Sequence, residues 1–303
     1  RRRRPQSIAT PWLLAGLLAA CAGADLSTRD PEAVLAEAEQ ALREERPAAA
    51  LELLEGIDEE TLPFRLGDRH ALAQATALYA TGEVWDAYEV TEQFADRYPH
   101  SERRSTIAEL EWQIARTLQQ SGRSFLFFYS ERRGARAVLE HLITRHPDSP
   151  RVPDALRVLG DMAFEDEQYE LAQERFRDIM RRYPESEWRV YASFRFAMAI
   201  VAGLQGPDYD LDQMEHASRE LRDFLAGNPE NPDFVAEATT ALERLRQWRA
   251  ERHLAIAEFY HRVRNPAGRR LHLEYAADAE FAGTAAQQAA ASELAALGAE
   301  GGK

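Results

Sequence analysis

Val152–Ser186 reads VPDALRVLGDMAFEDEQYELAQERFRDIMRRYPES. Leu156, Leu159, Gly160 and Ala163 stand at offsets 0, 3, 4 and 7, one face of a helix. Asp166-Glu167-Gln168 is a polar break. Ala172, Phe176, Ile179 and Tyr183 follow at offsets 0, 4, 7 and 11, the stripe of a second helix. Pro184 stops it, because proline has no N–H and clashes with the preceding turn. Gly160, Ala163 and Ala172 are small where two helices must approach closely; Leu159 and Phe176 are large beside them.

This alternation resembles the tetratricopeptide repeat, two antiparallel helices in a fixed small-large register. One such pair cannot bury its apolar face alone, so copies are expected. Pro99, Pro147, Pro184 and Pro229 stand in Tyr98-Pro99-His100-Ser101, His146-Pro147-Asp148-Ser149, Tyr183-Pro184-Glu185-Ser186 and Asn228-Pro229-Glu230-Asn231, spaced by 48, 37 and 45 residues. A basic repeat near 36 with two insertions explains the spacing. Each proline precedes a Ser or Asn suited to capping the next helix. Pro63, 36 residues before Pro99, marks a candidate earlier unit. The expected fold is all-α: a tetratricopeptide-like right-handed solenoid of about five to six helix pairs over residues 30–282, followed by an Ala-rich C-terminal cap or tail, 283–303. An array of this kind is one cooperative body, since each unit contacts its neighbours.

Going outward, Asp30-Pro31 opens a weakly patterned first unit whose partner helix starts at Pro47. The second runs from about Gly67 to Pro99, broken at Gly82. The third carries Ile107, Leu110, Ile114 and Leu118, then the insertion Ser121 to Tyr129, which contains Phe125, Phe127 and Phe128. That aromatic cluster either folds back on the core, as most large apolar residues do, or forms a partner-contact patch through Phe127 and Tyr129. The fifth unit opens at Trp188, and the sixth has a long first helix, Pro232 to Val263, turned by Asn265-Pro266.

The 303 residues are 45% hydrophobic and 29% charged, with a formal charge of −14. The first twenty residues hold four Arg and no acid, which leaves 33 basic against 51 acidic groups beyond them. Such a surface repels nucleic acid and anionic headgroups. Arg1–Arg4, then an apolar run from Ile8 to Ala20, have the order of a secretory signal, and the run is short for a membrane span. It ends Leu18-Ala19-Ala20-Cys21, which looks like a bacterial lipobox, and Cys21 is the chain's single cysteine. Residues 1–20 are therefore expected to be a lipoprotein signal peptide and 21–29 a tether. Diacylglycerol and acyl chains on Cys21 would give a stable anchor where one chain would not. No other cofactor is expected.

Catalytic constellations do not emerge. The eight histidines are scattered, with His141 and His146 five apart and His253 and His261 eight apart. There is no HExxH or CxxC pairing, no phosphate-cradling glycine loop and no nucleophile elbow. Asp161, Glu165, Asp166 and Glu167 lack the calcium-loop spacing and read as a solvated turn. Trp85, Trp112, Trp188 and Trp248 fall on helix stripes and read as core. What remains is recognition: stacked pairs leave a face lined by their first helices, and interface energy concentrates in aromatic and arginine anchors. Tyr191, Arg195, Tyr129 and Arg270 are the candidates.

Three stretches go further. SGRSFLFFYSERRGARAVLEHLITRHPDSP, GPDYDLDQMEHASRELRDFLAGNP and AERHLAIAEFYHRVRNPAGRRLHLEY resemble the third repeat, the Gly-x-x-Tyr-Asp insertion and the final long helix and turn of the BamD (YfiO) family of outer-membrane assembly lipoproteins. The resemblance implies a non-enzymatic, lipid-anchored scaffold, periplasm-facing on the outer membrane, in the machine that folds β-barrel proteins. In that family the C-terminal repeats contact the barrel subunit's periplasmic domains, and the N-terminal repeats bind unfolded barrel substrates. A basic residue on the last repeat's second helix makes an interface ion pair. In the frame Asn265-Pro266-Ala267-Gly268-Arg269-Arg270, Arg270 matches it best and Arg269 is one residue away. Departures are an added N-terminal unit, Arg269 where a small residue is usual, Asn228 without an aromatic before Pro229, and Phe281 to Thr284 in place of the last Tyr-Pro stop. The rival readings are a periplasmic repeat protein coordinating the cell envelope or division, a family usually soluble, and a pilus-assembly lipoprotein. An enzyme docked by its repeats would need a catalytic domain for which no residues are left.

Overall fold

A computed structural model describes residues 29–59, 62–121, 128–227 and 229–301. Cys21 with the signal and most of the tether, Phe125, Phe127 and most of the aromatic insertion, and Asn228 lie outside the described residues. Tyr129 lies in a first helical turn whose side chains are not described.

Thirteen α-helices and no strand occur among the described residues. They are α1 Pro31–Arg43, α2 Pro47–Glu55, α3 Phe64–Thr81, α4 Val84–Arg97, α5 Arg104–Ser121, α6 Phe128–Arg145, α7 Val152–Glu165, α8 Tyr169–Arg182, α9 Arg189–Gly203, α10 Leu211–Ala226, α11 Pro232–Arg262, α12 Pro266–Ala276 and α13 Ala285–Gly301. Each packs on the helix before and the helix after it, and first helices also meet across pairs (α1 with α3, α3 with α5, α9 with α11). Six hairpins thus stack in sequence order as a tetratricopeptide-like solenoid. The Ala-rich stretch at the C-terminus forms α13, which lies on α11 and α12 and buries Ala286 and Ala290.

The connections explain the register. Four hairpins turn through one left-handed residue: Glu45 (φ 56°), Gly82 (φ 93°), Glu167 (φ 58°) and Arg264 (φ 56°). The next N–H reaches back five residues to a helix carbonyl, Arg46 to Ala41, Glu83 to Leu78, Gln168 to Ala163 and Asn265 to Tyr260, at 2.8–2.9 Å. This satisfies carbonyls that a helix end leaves orphaned. The Pro-x-Ser connections are a second recurring device. Tyr98, His146 and Tyr183 close their helices with N–H bonds to Phe94, Leu142 and Ile179. The Ser101, Ser149 and Ser186 N–H groups then donate back to the carbonyls of Tyr98, His146 and Tyr183. The serine hydroxyls accept from the N–H two residues on, at Arg103, Arg151 and Trp188. They stand ahead of the helix rather than capping its first turn, which differs from the expected cap. Asn231 does cap, accepting from Asp233 and Phe234. Pro63 also differs: it is the N-cap of α3, while α2 has closed at Glu55. It therefore opens the second pair, which starts at Phe64 rather than Gly67.

One continuous core runs from Ala75 on α3 to Leu245 on α11. It includes the pair read first, where two helices come close. A Cβ on Gly160 would lie 2.7 Å from the Phe176 ring, so only glycine lets α8 come that near. A separate cluster joins α1, α2 and α3 around Leu35 and Leu54. The long α11 leaves the main core after Leu245, and its second half buries Ala250 and Ala257 in small clusters with Leu273, Ala276, Phe281 and Ala290. Trp85 is not core as read: it is 46% exposed, with its ring laid on Gly134 of α6. Trp112 is buried, and Trp188 and Trp248 are partly buried against the core.

Candidate partner-binding surfaces

Two regions gather the residues that the sequence singled out. The first is the face where α5, α7 and α9 lie side by side. Asp161 is its centre. The Tyr191 hydroxyl donates to Asp161 Oδ1 at 2.6 Å, Arg157 donates to Oδ2 at 2.9 Å, and Arg195 Nε lies 3.3 Å from Oδ1. The Arg195 guanidinium stacks 4.0 Å from the Phe164 ring centroid and Arg157 lies 4.5 Å from that of Trp188. Burial, then the bond to and the charge of Asp161, push the Tyr191 phenol well above its ordinary value, so it stays a neutral donor. A cleft of about 290 Å³ opens beside this network between Leu118, Gln119, Arg132, Val158, Met162 and Glu165. Glu165, Asp166 and Glu167 are exposed at the turn, as expected from sequence, and two of them are also paired across helices. Arg132 bonds Glu165 at 3.0 Å and Asp166 at 3.0 Å, and Arg136 also holds Asp166. Arg136 and Arg132 hold the Asp166 carboxyl below its usual range against the opposing pull of burial. Tyr191 and Arg195 are thus brought together on Asp161, and the Tyr191 hydroxyl is already bonded within the protein.

The second region is the last pair. The Arg270 side chain on α12 is 68% exposed and pairs with Glu274, four residues on, at 3.1 Å. An exposed pair of this kind holds its partners by about 0.3–0.5 kcal/mol, so Arg270 is free to exchange Glu274 for another carboxylate. Arg269 differs. Its guanidinium bonds Glu293 of α13 at 2.8 Å and approaches His261 at 3.2 Å, which ties the cap helix down. Gly268 has the reason for being small: a Cβ there would lie 2.8 Å from the Tyr260 ring. Of the eight exposed large hydrophobics among the described residues, four belong here: Phe259, Val263, Leu271 and Tyr275. Phe259 and Val263 are four apart, as are Leu271 and Tyr275, so each couple shares a helix face. The sequence reading passed over all four. The spacing was visible, but whether a stripe faces core or solvent depends on the neighbour it meets, and none covers these.

Beneath this surface His253 and His272 meet Nδ1 to Nδ1 at 3.2 Å. Burial, then His272, then Arg249 pull the His253 imidazole down to about 4, and burial lowers His272.

No described helix is long and apolar enough to cross a membrane. Residues 128–269 match the family model described as YfiO, outer membrane lipoprotein, and over this segment the resemblance read from the sequence holds. The match takes in α6 to α11, Tyr191, Arg195 and Arg269, and ends one residue before Arg270. No curated protein matches the chain.

Proposed function

We propose, on the premise that residues 128–269 are a YfiO-family segment, that this chain is a non-enzymatic, lipid-anchored scaffold of the machinery that folds β-barrel proteins into the outer membrane. The anchor is Cys21, and the docking end is the α11–α12 pair. The observation that carries the reading is the contrast at that pair: an exposed arginine with a replaceable partner beside four uncovered apolar side chains, on a protein whose other arginine candidate is sequestered in the stack. Desolvated aromatic and arginine anchors are what a protein interface uses. The remaining candidates, Tyr191 and Arg195, then set the spacing of α7 and α9 rather than touching the partner. The partner class is a barrel subunit with periplasmic domains, or its unfolded barrel substrates.

Two experiments test this. Labelled palmitate should enter the wild-type chain in cells and fail to enter Cys21→Ala; equal labelling of both removes the anchor. Affinity purification from detergent-solubilised envelope should recover a barrel protein with periplasmic repeat domains. Recovery of division or pilus-assembly proteins in its place would favour the rival scaffolds.

A further inference from the structure

The third hairpin buries a carboxylate that its protein neighbours do not satisfy. Glu111 on α5 is 0% exposed. Its Oε1 lies 2.9 Å from Nδ1 of His141 on α6, and 3.8 Å from Nε2 of His146, just past the end of that helix. His146 is 4% exposed. Glu111 Oε2, His146 Nε2 and His141 Nε2 are buried without a hydrogen-bond partner. Leaving such groups unmade costs about 1–3 kcal/mol each, more for a charge, and the single contact with His141 leaves the second oxygen of the Glu111 carboxylate bare. A folded helix pair retains that arrangement where something else completes it.

We infer that Glu111, His141 and His146 form a binding site for one divalent transition-metal ion of the zinc class. One ligand atom from each residue lies within 4.8 Å of the others. With metal–ligand bonds of about 2.0–2.2 Å, a tetrahedral ion spaces its donors roughly 3.3 Å apart. The observed 2.9 and 3.8 Å fall on either side of that, so small side-chain rotations suffice. Two imidazoles and one carboxylate suit zinc, cobalt or nickel, whereas calcium and magnesium prefer oxygen alone. The fourth position falls to water or to Glu111 Oε2. His146 lines a cleft of about 220 Å³ with Arg104, Ser105, Ala108, Asp148, Ser149 and Pro150, which gives an ion its route in from solvent. Tyr88 of α4 covers the other side, its ring centroid 6.1 Å from that of His141. Filling the site would cross-link the middle of α5 to the C-terminal end of α6.

This inference does not rest on the assembly reading, and its test is separate. Zinc chloride is titrated by calorimetry into the chelator-stripped full chain. One equivalent should bind, and the affinity should fall at least tenfold in Glu111→Gln and in His146→Gln, while His272→Gln binds as wild type. Binding unchanged in the first two, or lost in the third, overturns the assignment. Cobalt(II) added to the wild-type chain needs no variant that could misfold. The strong visible absorption of a four-coordinate ion is expected, and its absence overturns the site.

Discussion

The central pair, α7–α8, and the last pair, α11–α12, are built on one plan and finished differently. Both turn through a left-handed residue followed by a bond reaching five residues back, and both press an aromatic ring onto a glycine, Phe176 on Gly160 and Tyr260 on Gly268. In the centre neighbouring pairs pack on both sides. Phe176 is fully buried, and the polar side chains cross from pair to pair, Trp188 to Asp154 at 2.8 Å and Arg175 to Glu140 at 2.8 Å. At the end α13 covers one side only, and apolar residues remain open. A repeat that has neighbours on both sides spends its side chains on the stack. The terminal repeat has some left for a partner.

The comparison breaks first at its strongest joint. Phe176→Ala should cost about 3–5 kcal/mol, the usual range for emptying a buried aromatic site, seen as a drop in the urea midpoint. Leu271→Ala, exposed on α12, should stay within roughly 0.5 kcal/mol, as surface changes do. Equal losses would erase the distinction between the pairs. Tyr191→Phe should cost about 1.5–3 kcal/mol by removing a bond to a charged group, without loosening α12.

Acid should act on the end rather than the centre of the stack. His253 is held near 4, below its unfolded value of about 6.5. The unfolded chain therefore takes up the proton first, so this contribution to stability is complete above about 6.5 and is lost as pH falls toward 4. Hydrogen exchange in α12 and α13 should speed up between pH 7 and pH 5 relative to α7–α8, and His253→Gln should flatten the difference. The smallest effect is a gain. Glu167 adopts the left-handed region that costs a non-glycine residue about 1–2 kcal/mol. Glu167→Gly should recover up to roughly 1 kcal/mol, and Gly82→Ala, at the equivalent turn, should lose a similar amount.

These cases also mark how far the sequence reaches. The hairpins were legible because small and large residues recur at helical spacing and prolines close the second helices. Gly82 announced its turn. Glu45, Glu167 and Arg264 did not, since nothing in an acidic or basic side chain signals positive φ when the back-bond rather than the residue enforces it. Pro63 misled because proline suits the residue before a helix as well as the residue after one. Asp161 read as solvent-facing because Tyr191 and Arg195 lie thirty residues or more away on another helix, and the arginines that pair with the exposed Asp166 are as distant. The same separation hid Glu111 from His141 and His146. Arg270 was found through family resemblance. Its apolar surroundings were not, because a helical stripe in sequence does not say whether a neighbour covers it.

The most direct measurement is capture of a barrel subunit's periplasmic domains by immobilised wild type, Arg270→Glu, Arg270→Ala and Tyr191→Phe. The account predicts that charge reversal at Arg270 weakens capture by tenfold or more, that alanine weakens it less, and that Tyr191→Phe holds the partner as wild type does. Undiminished capture by Arg270→Glu together with loss in Tyr191→Phe would move the docking surface to the centre of the stack and contradict it.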